Sequence, residues 1–157
     1  LSPVAGREDR TEANTAEVRE AAVRLLARRE HSRRELERKL TDRGFSDGPI
    51  EEALAGLAEA GLQSDRRFAE SWVRQRAGRG YGPRRILAEL AERGVDGETA
   101  QIALDDEAPD FDAIAEDWYR RKYRDRAPKD FRERAQRAQA LYRRGFESEQ
   151  IRVLTGS

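Results

Sequence analysis

The chain carries one histidine and no cysteine, so the side chains that most often hold zinc or act as nucleophiles are nearly absent. His31 stands alone beside Ser32. With no second histidine and no thiolate it cannot seed a usual zinc site, and it reads as a structural or solvated residue. Carboxylates are plentiful and could in principle supply acid–base pairs or hold magnesium. Most lie near arginines on polar helix faces, where solvated ion pairs are the expected outcome. Gly78-Arg79-Gly80-Tyr81-Gly82 is glycine-rich but does not follow a strand, the context a phosphate-binding loop requires; it reads as a flexible joint between two helices. No catalytic constellation emerges, so the expectation is a protein that binds a partner, needs no cofactor or metal, and is not an enzyme.

The basic residues are more informative. Formal net charge is +0, from 31 Lys and Arg against 31 Asp and Glu, but the signs separate into blocks. Ser71 to Ala88 holds five arginines (Arg74, Arg76, Arg79, Arg84 and Arg85) and no acid. Asp105 to Asp117 holds seven acids and no base. Tyr119 to Arg144 holds eleven Lys or Arg against three acids, a local balance of +8. A one-sided cationic field with interleaved aromatics suits phosphates, acidic protein surfaces or exposed bases. The candidate binding residues are therefore Arg74, Arg76, Arg79, Tyr81, Arg84 and Arg85 in one segment, and Arg120, Arg121, Lys122 and Arg124 in another, the latter interleaved with Trp118, Tyr119 and Tyr123. Acids near a helix start and bases near its end also favour the helix dipole, which accounts for part of the separation.

The elements that must carry these residues are helices. Val18, Ala22, Leu25 and Leu26 follow the spacing of one buried face, giving a first helix from Thr15 to Glu30 after a flexible tail over 1–14. Ser32 and Glu35 have capping-box spacing and open a second helix, which Gly44 ends. A third follows Pro49 and stops at Gly61. Sliding the sequence by about 50 residues repeats the pattern: Leu36 meets Ile86, Leu40 meets Leu90, and Arg43-Gly44-Phe45 meets Arg93-Gly94-Val95 and then Arg144-Gly145-Phe146. Phe68 and Trp72, like Phe111, Ile114, Ala115 and Trp118, are expected in the core. The fold expected is all-α: three tandem three-helix repeats over 15–61, 62–107 and 108–157, stacked as an elongated, curved array. No apolar run approaches the roughly 20 residues needed to span a bilayer. The expectation is a soluble, cytoplasmic monomer.

His31-Ser32-Arg33-Arg34-Glu35-Leu36 with Lys39-Leu40, then Gly61-Leu62 to Asp65-Arg66-Arg67-Phe68-Ala69, then Gly80-Tyr81-Gly82-Pro83 with Ile86, Glu89-Leu90 and Arg93-Gly94-Val95, resemble the RecX family of bacterial recombination regulators. The resemblance runs from about residue 18 to the end and rests on three motifs in order. It implies three tandem three-helix repeats. It also implies binding to RecA filaments on single-stranded DNA, lodged along the filament groove, with damping of ATP hydrolysis, strand exchange and SOS induction. One departure stands at Gln63-Ser64, where the family often has a second apolar residue and an acid; a cap at Ser64 or Asp65 still serves the fold. Weak direct DNA binding is expected beside the filament, and a second reading of the same helices is a DNA-binding module that acts without RecA.

Overall fold

The computed structural model describes residues 5–156. Among them are nine helices and no strand: α1 (Ala5–Arg28), α2 (Arg33–Asp42), α3 (Asp47–Glu59), α4 (Asp65–Gly78), α5 (Pro83–Glu92), α6 (Gly97–Glu107), α7 (Phe111–Tyr123), α8 (Phe131–Arg144) and α9 (Ser148–Thr155). They succeed one another as three helix triplets, the all-α architecture expected. Helix α1 begins at Ala5, well ahead of Thr15. Residues 5–14 lack apolar periodicity, yet their Ala, Arg and Glu are good helix formers and Pro3 lies before them. The expected tail over 1–4 lies outside the described residues.

The chain packs as two compact units. The first ends at Phe68 and includes Arg93–Val95; the second comprises 69–92 and 96 onward. In the first, Val18, Ala21, Ala22 and Leu25 on one stripe of α1 meet Leu36 and Leu40 of α2 and Ile50, Ala53, Leu54 and Leu57 of α3, all buried. Helix α2 opens on the capping box: the Ser32 hydroxyl accepts from the Glu35 N–H at 3.1 Å, and the Glu35 carboxylate accepts from the Ser32 N–H at 3.1 Å. Buried Gln63 donates to the His31 carbonyl and to Asp65, and Asp65 accepts from the Arg33 N–H at 2.8 Å, tying the start of α4 to the start of α2.

His31 is buried within this knot. Its Nδ1 lies 3.0 Å from the Arg29 carbonyl and its Nε2 lies 3.0 Å from Lys39 Nζ, so the neutral ring donates through Nδ1 and accepts through Nε2. Burial lowers its pKa below the ordinary 6.5; the Arg29 carbonyl opposes this, and the Arg29 and Lys39 charges add to it. A group that is harder to protonate folded than unfolded supports the fold fully above its unfolded pKa, and that support is lost as pH falls below it. Unfolding free energy should therefore fall from about pH 7 to about pH 5, and His31→Gln should flatten that slope. Denaturant melts across this range check it; an unchanged slope in the variant would contradict the assignment.

In the second unit Ala69, Val73 and Ala77 of α4, Ile86 and Leu90 of α5, and Ala100, Ala103 and Leu104 of α6 are buried, while Ala115 of α7, Leu141 of α8, Phe146 and Ile151 of α9 form a cluster of their own. Trp72 was expected in the core on its spacing from Phe68 and is only half-buried. Phe68 is buried as expected, but the inward face continues through Ala69 and Val73 and leaves the indole at the margin beneath Arg76. Likewise Phe111, Ile114 and Trp118 are half-buried around fully buried Ala115. The 78–82 segment is a packed turn and not a flexible joint. The Gly82 N–H donates to the Arg144 carbonyl at 2.8 Å, and a Cβ on Gly82 would sit 2.4 Å from the Gly145 carbonyl carbon, so only glycine allows the two backbones to approach. Among the described residues no helix is long and apolar enough to cross a membrane.

Candidate nucleic-acid and filament interface

The candidates in the first segment share the surface where the end of α4, the start of α5 and the end of α8 come together. Tyr81 is its centre. The guanidiniums of Arg76, Arg85 and Arg144 lie 4.0, 4.3 and 4.3 Å from the Tyr81 ring centroid. Arg144 also faces the Trp118 ring at 5.0 Å, and Lys122 faces the same ring at 5.0 Å, which joins the α7 cations to the group. Arg84 lies 4.1 Å over the exposed Tyr142 ring and donates to the Phe146 carbonyl. Arg79 and Arg121 line an open groove of about 640 Å³, which Trp118, Ile114, Ala113 and Gly80 also line.

Counter-charges decide how much of this field is available. The Ser71–Ala88 block contains no acid, but the fold imports two from outside it. Glu89 binds Arg76 bidentately at 3.0 and 2.7 Å, with both side chains largely buried, and reaches Arg85 at 3.9 Å. Glu107 pairs with Arg74. In α7, Arg120 pairs with Glu116 and Asp125, and Arg121 with Asp117. Thus the unbroken basic block seen along the chain is partly neutralised in space. Around Tyr81 the balance stays cationic, with three guanidiniums against the single carboxylate of Glu89. Burial alone would push the Tyr81 phenol up; the charges of Arg144, Arg76 and Arg85 outweigh it and hold the phenol below its usual range. Arg124 is exposed and ends α7 in a left-handed conformation, φ 53°.

Arg144 and Tyr142 belong to this surface although they were not among the candidates. The sequence placed Arg144 both in the basic block from Tyr119 to Arg144 and in the Arg-Gly-apolar stop it shares with Arg43 and Arg93, without singling it out as a binding residue. Among the described residues no group of three or more His, Cys, Asp or Glu is placed to hold a metal ion.

Models of the first, second and third three-helix domains of RecX match residues 19–57, 64–104 and 110–153. The chain belongs to the RecX family. Regulatory protein RecX of Stenotrophomonas maltophilia is 45% identical over 109 residues, covering 69% of this chain and 67% of that one. Regulatory protein RecX of Chromohalobacter salexigens is 48% identical over 103 residues, 66% of this chain and 67% of that one. That of Ectopseudomonas mendocina is 49% identical over 112 residues, 70% and 74%. The crystal structure of RecX from Lactobacillus salivarius matches with a TM-score of 0.74 at 23% identity, covering 92% of this chain and 96% of that one. Another crystal structure, of regulatory protein RecX, gives 0.85 at 20% identity over 100% of this chain and 80% of that one. These neighbours share the fold, and the RecX family is one of regulatory proteins.

Proposed function

We propose that this chain regulates recombination and SOS induction by binding the RecA filament on single-stranded DNA and restraining its ATPase and strand exchange, with no catalysis of its own. The observation that carries the reading is the Tyr81 group. Three guanidiniums crowd one phenol with one carboxylate among them, and flanking aromatics and Lys122 extend the surface. Such a group is attracted to a filament that displays both DNA phosphates and acidic protein surface. Membership of a family of regulatory proteins supports the same reading.

Fluorescence anisotropy of labelled protein tests it, with RecA–DNA filament and bare single-stranded DNA compared at one salt concentration. The filament should bind more tightly, and both affinities should fall as salt rises. Equal affinity for bare DNA at near-physiological salt would favour the second reading, a DNA-binding module independent of RecA.

A further inference from the structure

The Tyr81 ring has no face to spare. Arg76, Arg85 and Arg144 place their guanidinium carbons 4.0, 4.3 and 4.3 Å from its centroid. At that separation a guanidinium lies over the face of a ring, because approach at the edge is held farther out by the ring carbons themselves. One face has no room for three guanidiniums, so both are covered, and a nucleobase finds no surface on which to stack. The hydroxyl is what the ring still offers. It accepts from Arg144, which leaves its O–H to donate.

The three cations differ in what they have left to give. Arg76 is committed: Glu89 binds it at 3.0 and 2.7 Å, and its side chain is only 13% exposed. Arg85 is 41% exposed and donates to the Arg143 carbonyl; its Nε stands 3.9 Å from the same Glu89 oxygen that Arg76 holds at 2.7 Å. Arg144 has no carboxylate partner among the described residues and lies over two aromatic rings. Glu89 therefore stands between a spent cation and an available one. Because its side chain is largely buried, its charge acts on Arg85 through protein more than through water.

We propose, on the reading of the Tyr81 surface as the filament's contact, that Arg85, Arg144 and the Tyr81 hydroxyl form a seat for a backbone phosphate of single-stranded DNA, and that Glu89 is the resident anion that sets how tightly the seat holds it. A phosphate suits these donors better than a side-chain carboxylate does. Two guanidiniums and a hydroxyl on separate side chains approach from different directions, which a tetrahedral group with oxygens on every side satisfies; a planar carboxylate is matched in one plane, as Glu89 is by Arg76. With both ring faces covered, the seat takes the phosphate whatever base is attached. Glu89 opposes it twice over, by drawing on Arg85 and by repelling the incoming charge. Glutamine at this position keeps the shape and one hydrogen bond to Arg76 while removing the charge.

Fluorescence anisotropy with labelled oligothymidylate tests this without RecA. Glu89→Gln should tighten binding roughly 3–10-fold through loss of one close opposing charge. Glu92→Gln removes the same charge from an exposed residue of the same helix and should change affinity by less than about twofold. The gain should be as large on an abasic oligonucleotide, and the natural chain should bind oligothymidylate more tightly than polyglutamate of equal charge. Circular dichroism confirms that both variants fold, and NMR of the arginine Nε–H groups gives a reading on the natural chain: oligothymidylate should shift Arg85 and Arg144 and leave Arg76 in place. No gain from Glu89→Gln, or an equal gain from Glu92→Gln, would overturn the role of Glu89. A gain lost on the abasic strand, tighter binding of polyglutamate, or a shift at Arg76 with Arg85 and Arg144 unmoved would overturn the phosphate seat. In each case filament binding that still weakens in an Arg85→Ala, Arg144→Ala variant leaves the Tyr81 surface standing as the contact, and filament binding indifferent to that variant removes the contact itself.

Discussion

Gly145→Ala is expected to lower the unfolding free energy by roughly 2–4 kcal/mol, and Gly44→Ala by only about 1. Both glycines hold the left-handed conformation, at φ 96° and 92°, so the backbone penalty of adding a Cβ is common to the two. They differ in what the Cβ meets. At position 145 it would lie 2.5 Å from the Arg85 backbone nitrogen as well as 2.4 Å from Arg85 Cβ, atoms that cannot swing aside. At position 44 it meets nothing. For a chain of this size the first change corresponds to a fall in Tm of roughly 5–15 °C. Calorimetry on the two variants under dilute conditions checks it, and equal losses at both positions would contradict the packing given to the Gly145 joint.

The second large effect concerns binding. In the proposed interface Arg85 and Arg144 are the cations of the Tyr81 group least matched by carboxylates among the described residues: Glu89 reaches Arg85 only at 3.9 Å, and Arg144 lies over the Tyr81 and Trp118 rings and hydrogen-bonds the Tyr81 phenol. The Arg85→Ala, Arg144→Ala double variant should bind the RecA–DNA filament roughly 10–100-fold more weakly, with a salt dependence shallower by about 0.7 for each lost phosphate contact on single-stranded DNA. Arg74→Ala should change affinity by less than about twofold, because Glu107 already partners that guanidinium and an exposed ion pair contributes little. The anisotropy titration reads both, with circular dichroism confirming that the variants fold. If Arg74→Ala weakened binding as much as the double variant, the clustering around Tyr81 would not be what the filament recognises.

The fold was legible where the governing interactions are local. The Ser32–Glu35 capping box, the glycine stops and the recurrence of Arg-Gly-apolar depend on residues a few positions apart, and the structure reproduces each. Less was legible where a helix's rotation decides the outcome. Trp72 sits four residues from buried Phe68 and should share its face, but the face turns through Ala69 to Val73 and leaves Trp72 half-buried. The site suffered similarly: Glu89 and Glu107 neutralise arginines 13 and 33 positions away, pairings that no reading along the chain can supply. Arg137 is the instructive residue. Placing Leu141 on Leu90 puts Arg137 on Ile86, an apolar position, and it is indeed 3% exposed, held by Glu133, the Tyr119 hydroxyl and the Arg126 carbonyl at 2.8, 2.9 and 2.6 Å. Counted along the chain it belonged to the +8 block; in space it is a core residue, and it contributes nothing to a binding surface. The repeat register carried that information, and the charge tally obscured it.

The most direct test of the central claim is the rate of ATP hydrolysis by RecA on single-stranded DNA as this protein is added from substoichiometric amounts to equimolar, beside a DNA-only binding control in the same buffer. The rate should fall at amounts too small to coat the DNA, and the Arg85→Ala, Arg144→Ala variant should require more protein for the same fall. An unchanged rate, with RecA active in the control, would contradict action on the filament.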